Sequence, residues 1–242
     1  MLPEKQDAFG HGILDFYQGK GGSEIIERED GLIEISGGPD IYFSEYKDWR
    51  EHEKEALKYA SGWILDIGCG AGRTALYLQN KGKKVLGIDN SPLAVSVCKS
   101  RGVKNAKVLS ITEVSSALGI FDTLIMFGNN FGLLSNVKRA KWLLKKFHTM
   151  TSEKARIIAE SRDPYGTKNP DHLSYHKYNL KRGRMAGQVK IRVRYKRIKG
   201  DWFDYLMVSA KEMSEIIEGT GWKLKEIIPG KYGTYIGIIE KL

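Results

Sequence analysis

Ile64-Leu65-Asp66-Ile67-Gly68-Cys69-Gly70-Ala71-Gly72 is the stretch whose reading decides the fold. Its first four residues read as a buried strand, its glycines alternate, and residues 73–80 continue as a helix. Glycines are required at such a junction, because the backbone must turn tightly and let a ligand approach with no Cβ in the way. A second apolar run, residues 84–88, leads to Asp89, 21 residues beyond Gly68. At that spacing a carboxylate accepts hydrogen bonds from both ribose hydroxyls of an adenosine.

A nicotinamide dinucleotide is the obvious rival for such a site. Its fingerprint, G-x-G-x-x-G/A, begun at Gly68, needs glycine or alanine at position 73, where this chain has Arg73. The third glycine falls instead at Gly72. Asp66 is also unexplained by a dinucleotide, since a carboxylate close to a pyrophosphate repels it.

Working outward, helical spacing of Trp49, His52, Glu53, Ala56, Leu57 and Ala60 predicts a helix over residues 46–60, with Gly62 at its end. Short apolar runs at 63–67, 84–88, 106–109, 121–127 and 156–160 predict strands covered on both faces. Between them, Ser91 with Pro92 opens a helix that Gly102 closes. Asn136 caps another, whose apolar stripe includes Val137, Ala140, Leu143, Leu144 and Phe147. This alternation specifies an α/β, doubly wound parallel sheet.

The alternation breaks after the fifth strand. Residues 162–208 have strand character and no convincing helix. Within them Val189, Ile191, Val193 and Tyr195 alternate with Lys190, Arg192, Arg194 and Lys196, the signature of a half-buried strand. Ser209 with Glu212 forms a capping box for a last helix, and residues 222–228 and 234–239 read as a closing hairpin. Residues 1–45 are glycine-rich without a long periodic stretch, and read as a loop-and-hairpin arm.

The D-x-G-x-G-x-G ending of the first strand resembles the first motif of the class I S-adenosylmethionine-dependent methyltransferases. The resemblance extends over residues 56–160, and residues 208–242 match that family's end of the sheet. It implies a Rossmann-like seven-stranded sheet with an antiparallel last strand, and an inserted antiparallel β segment between strand 5 and the last helix. The implied organisation is an N-terminal arm or lid (1–45), a cofactor-binding core (46–161), a substrate-side insertion (162–208), and a final helix and hairpin completing the core (209–242).

The implied cofactor is S-adenosyl-L-methionine. Gly68, Cys69, Gly70 and Gly72 then line its methionine half, Asp66 sits near its ammonium, Arg73 reaches towards its carboxylate, Asp89 holds the ribose and Asn90 touches the adenine side. The family often has an acid after the third strand. Here Ile111 stands between Ser110 and Thr112, so adenine contact falls to a backbone amide and apolar packing. From the arm, Tyr17, Tyr42 and Phe43 fold over the cofactor as a lid.

After the fourth strand comes Gly128-Asn129-Asn130-Phe131, at the position that opens onto the transferring methyl group. It lacks the prolines of the Asn/Asp-Pro-Pro-aromatic run of base-amine methyltransferases. Candidates on the acceptor side are Asn129, Asn130, Arg162, Asp163 and Tyr165, with Gly128 and Asn129 also facing the cofactor. No metal-ligand cluster is visible.

Formal net charge is +10, and it is local. Residues 172–200 hold ten Lys and Arg and no acid; without those ten, Lys and Arg number 29, the same as Asp and Glu. The basic 177–199 segment either protects a sheet edge or forms an electrostatic platform for an acidic acceptor. No apolar run approaches the ~20 residues of a membrane helix, and no secretory signal is expected. Two cysteines read as free thiols in a cytoplasmic protein. The leading expectation is methyl transfer to a small-molecule acceptor, possibly anionic. The alternatives are an RNA or protein methyltransferase docking through 177–199, and a non-catalytic binder of the cofactor.

Overall fold

A computed structural model describes residues 2–242. In chain order its elements begin with α1 (Ala8–Tyr17), β1 (Ile25–Arg28), β2 (Ile33–Ile35), α2 (Glu51–Ala56), β3 (Trp63–Ile67), α3 (Arg73–Asn80), β4 (Lys84–Asp89), α4 (Pro92–Ser100) and β5 (Ala106–Val108). They continue with β6 (Phe121–Met126), α5 (Val137–Thr149), β7 (Thr151–Arg162), α6 (Pro170–Lys181), β8 (Gln188–Tyr195), β9 (Ile198–Lys199), β10 (Phe203–Leu206), α7 (Ala210–Ile217), β11 (Trp222–Pro229) and β12 (Thr234–Lys241). Seven strands in the order β11-β12-β7-β6-β3-β4-β5 form a mixed sheet, the expected α/β doubly wound architecture. An additional antiparallel sheet has the order β10-β8-β1-β2.

The chain divides into two compact units. The first comprises residues up to 49, 63–113 and 191–203. In it β3, β4 and β5 are parallel neighbours, and their side chains are almost wholly buried except at β5. Ser91 caps α4 by accepting the Ala94 amide at 3.0 Å, as its Ser-Pro sequence predicts. The second unit comprises residues 50–62, 114–190 and 204–242. There β6 and β7 run parallel, while β12 is antiparallel to both β7 and β11. The Ser209–Glu212 capping box at the start of α7 is present.

Three expectations need correction. The arm is not only loop and hairpin, because α1 occupies residues 8–17. Two of the arm's glycines, Gly10 and Gly12, lie within this helix, and a Cβ at Gly10 would collide with Ser91 and Asp7, so glycine serves packing there. The helix expected over 46–60 is shortened to α2 flanked by 3-10 turns, because Trp49 and Arg50 are extended. That break turns the Trp49 indole to donate to the Ser44 carbonyl at 3.1 Å. Finally, the 162–208 segment contains α6, whose Leu173, Tyr178 and Leu180 are exposed and whose buried residues are Tyr175 and Asn179. With its large apolar side chains outward, it carries no stripe for periodicity to find. Asn169 caps it and Pro170 opens it.

The basic strand β8 is not a sheet edge. It lies between β10 and β1, and its register with β1 sets Arg192 opposite Glu27.

Candidate active site

In the first unit β3 delivers the chain into the glycine loop. Gly68, Gly70 and Gly72 have φ of 72°, 52° and 81°, the left-handed region that side chains disfavour. Gly72 is doubly constrained, since a Cβ would stand 2.6 Å from the Cys98 sulfur. The amides of Gly68 and Cys69 donate to the Ile88 carbonyl at 2.8 and 3.0 Å, which fixes the loop to the end of β4. Cys69 contributes backbone only. Its thiol packs against Gly87, and the Cys98 thiol and burial push it up, away from any nucleophilic form.

Asp89 ends β4 almost fully buried. Its two carboxylate oxygens accept the Ser91 and Gly70 amides at 2.9 and 3.0 Å, so the acid shapes the glycine loop directly. Burial raises its pKa against these bonds. Asp66 is 3% exposed, and its Oδ2 has no hydrogen-bond partner. Burial pushes its pKa up to about 7, against the pull of the nearby Arg73 charge. Arg73, first residue of α3, stacks its guanidinium on Trp49 at 4.4 Å. Asn90 is exposed, and its carbonyl faces the Leu2 amide. Ser110 shares its hydroxyl with Thr112 at 2.9 Å in the turn after β5, where Ile111 is half-buried.

The arm contributes a wall. Phe9 and Ile13 of α1 reach Gly70, and Phe9 meets Tyr42 edge-on with ring centroids 5.1 Å apart. Tyr42 donates its hydroxyl to the buried Glu24 at 3.2 Å. Arg101 Nη1 donates both to the Tyr42 carbonyl, at 3.1 Å, and to the Ala71 carbonyl of the glycine loop, at 2.7 Å. Its guanidinium also lies over the Phe43 ring, which Tyr17 stacks upon.

In the second unit β6 runs into Gly128, whose amide donates to Glu160 Oε2 at 2.7 Å. Glu160, near the end of β7, is 1% exposed, with Arg50 at 3.2 Å and His52 at 3.5 Å from its other oxygen. Burial raises its pKa, but His52, the Gly128 amide and the Arg50 charge outweigh this and hold the carboxyl below the usual range. Asn129 is left-handed at φ 65°, and its Oδ1 is buried without a partner. Its carbonyl accepts the Tyr205 hydroxyl. Asn130 begins the following 3-10 turn.

The other acceptor-side candidates bond locally. Arg162 donates to the Tyr232 carbonyl at 3.2 Å, Asp163 accepts the Tyr165 amide at 2.8 Å, and the Tyr165 hydroxyl donates to Glu212. Sequence reading missed Glu160, Tyr205 and His52. An acid closing the apolar run Ile157-Ile158-Ala159 was the available signal for the first.

A methyltransferase-domain family matches residues 64–153, from β3 into β7. Over its full length the chain is similar to the crystal structure of an S-adenosylmethionine-dependent methyltransferase from Bacteroides fragilis in complex with S-adenosyl-L-homocysteine: 29% identity, 100% of this chain and 97% of that one, TM-score 0.85. Among curated proteins, 70 residues (26% of this chain) are 37% identical to the 2-heptyl-1-hydroxyquinolin-4(1H)-one methyltransferase of Mycobacteroides abscessus, and cover 31% of it. A further 120-residue match (45% of this chain), 29% identical, covers 17% of the O-antigen chain terminator bifunctional methyltransferase/kinase WbdD of Escherichia coli. The chain therefore spans less than a third of either curated relative.

A Rossmann-like sheet that closes on an antiparallel hairpin is the fold of a class I methyltransferase. Domain and full-length likeness agree with it: residues 64–153 match a methyltransferase domain, and the whole chain shares its fold with an S-adenosylmethionine-dependent methyltransferase. The first unit fits that cofactor: a loop of left-handed glycines follows a buried carboxylate oxygen that lacks a donor, as an ammonium group requires.

Proposed function

We propose that the chain methylates a small-molecule acceptor. When bound, S-adenosylmethionine supplies an activated sulfonium methyl group, so the protein's task is alignment and exclusion of water. In the first unit the backbone of Gly68, Cys69, Gly70 and Gly72 cradles the methionine half and Asp66 receives its ammonium. Asp89 receives the ribose, while Asn90, Ser110 and Ile111 border the adenine. Tyr42 belongs to the covering wall. In the second unit Glu160 and Tyr205 hold the Gly128–Asn129 turn. Asn129 Oδ1 leads the acceptor-side candidates because it lacks a donor, whereas Arg162, Asp163 and Tyr165 already have partners.

The observation that carries the small-molecule reading is the neutralisation of the basic strand. Arg192 binds Glu27 through two bonds of 2.9 Å, and Arg194 binds the same carboxylate at 3.1 Å. Lys196 pairs with Asp15, so three of the four alternating charges are engaged by acids of the chain itself and withdrawn from a polyanion. The quinolone methyltransferase supports the same class of acceptor by likeness over a quarter of the chain. The test is incubation of the protein and methyl-labelled cofactor with cell extract, followed by size fractionation. Label is expected among small metabolites; label confined to RNA or protein would replace this reading.

A further inference from the structure

We infer that Asp7 is a positioning residue for the cofactor, a buried carboxylate that fastens α1 to the elements shaping the glycine loop. Asp7 is 0% exposed. Its Oδ1 caps α1 by accepting the Gly10 amide at 2.8 Å. Its Oδ2 turns the other way and accepts from α4: the Ser91 hydroxyl at 2.7 Å and the Leu93 amide at 3.3 Å. One anion thus serves two helix N-termini, where both partial positive charges favour it.

The connection continues to the ligand side. Ser91 donates its amide to Asp89 Oδ1, and Asp89 Oδ2 holds Gly70. Gly70 is also where Phe9 and Ile13, in the first and second turns of α1, arrive. Asp7 therefore acts on the loop from two sides: through Ser91 and Asp89, and through the placement of the α1 wall. Gly10 permits the arrangement, since any Cβ there would strike Ser91 and Asp7. The sequence gives no sign of this, because Asp7 and Ser91 lie 84 residues apart.

The inference rests on the cofactor reading of this loop. Its test compares the full-length wild type with Asp7→Asn, Ser91→Ala, Phe9→Ala and, as control, Asp89→Ala. The measurements are S-adenosylhomocysteine titration, its dissociation rate by stopped flow, and thermal melting. Asp7→Asn presents an amide N–H₂ to one of the donors that the carboxylate satisfied. It is expected to weaken S-adenosylhomocysteine binding about tenfold, mainly through faster dissociation. At saturating cofactor its KM for an acceptor should stay unchanged. Ser91→Ala and Phe9→Ala should each weaken binding in the same direction, and they keep the inference testable if Asp7→Asn folds poorly. Wild-type affinity and dissociation in all three, with only melting lowered, while Asp89→Ala loses binding, would reduce Asp7 to a helix cap. No saturable S-adenosylhomocysteine binding by the wild type would overturn the cofactor reading itself.

Discussion

Asp66 has one carboxylate oxygen without a partner in a site that is 3% exposed, and its pKa of about 7 leaves it about half protonated at neutral pH. An unfolded aspartate titrates near 3.9. The folded chain therefore holds a proton between about pH 4 and 7 that the unfolded chain has lost. Its contribution to stability is full below about pH 4 and disappears as pH rises through 7, a change of up to about 4 kcal/mol. A bound ammonium reverses the preference. Cofactor affinity should rise with pH from 5.5 to 7 and then level off, with Asp66→Asn abolishing the rise; calorimetry across that range checks this, and a flat wild-type profile contradicts it. Asp89→Ala removes the carboxylate proposed to receive the ribose and also frees the Gly70 and Ser91 amides. A loss of about 2 to 4 kcal/mol in cofactor binding is expected, and Asp89→Asn, which keeps one acceptor, should lose less. Unchanged affinity with a collapsed melting temperature would make Asp89 purely structural. Both aspartates stand out in the sequence by their spacing from nearby glycines, and the structure buries both beside the glycine loop. Glu160 and Asp7 do not stand out, since their partners lie 32 and 84 residues away.

Among the elements, those marked by a short apolar run, an apolar stripe or a capping residue announced themselves. The strand at 63–67 was placed to the residue, and the closing hairpin and the capped starts of α4, α5 and α7 appeared as expected. The helices that escaped, α1 and α6, carry their information elsewhere: glycines chosen for close packing in one, exposed apolar side chains in the other. The basic strand was read correctly as a strand; of its two open roles the structure removes edge protection, since its partners β1 and β10, remote in sequence or beyond an irregular turn, flank it on both sides. Its pairing makes a prediction. A phosphate-tracking face would give RNA affinity a salt slope of about 0.7 per contact for single strands. With Arg192 and Arg194 bound to Glu27, the double substitution Arg192→Ala, Arg194→Ala should leave RNA binding weak and its salt slope little changed. Submicromolar, salt-steep RNA binding that the double variant abolishes would contradict this. In the glycine loop, Gly72→Ala meets both a φ of 81° and the Cys98 sulfur, so it should lower the melting temperature and weaken cofactor binding together.

For the whole molecule, sequence and structure agree most closely on the adenosine-binding fold and least on what receives the methyl group. The fold repeats a pattern of strand, turn and helix that is local at each step, whereas an acceptor site draws on loops and an insertion whose geometry no periodicity reports. No helix among the described residues is long and apolar enough to cross a membrane. The central claim is that Asp66, the left-handed glycines and Asp89 form a methionine-adenosine site and not a pyrophosphate site. Calorimetric titration of the wild-type chain with S-adenosylmethionine, S-adenosylhomocysteine and NAD tests it most directly. The account predicts saturable binding of the first two with one ligand per chain and no heat from NAD; tight NAD binding with no response to either sulfur ligand would contradict it.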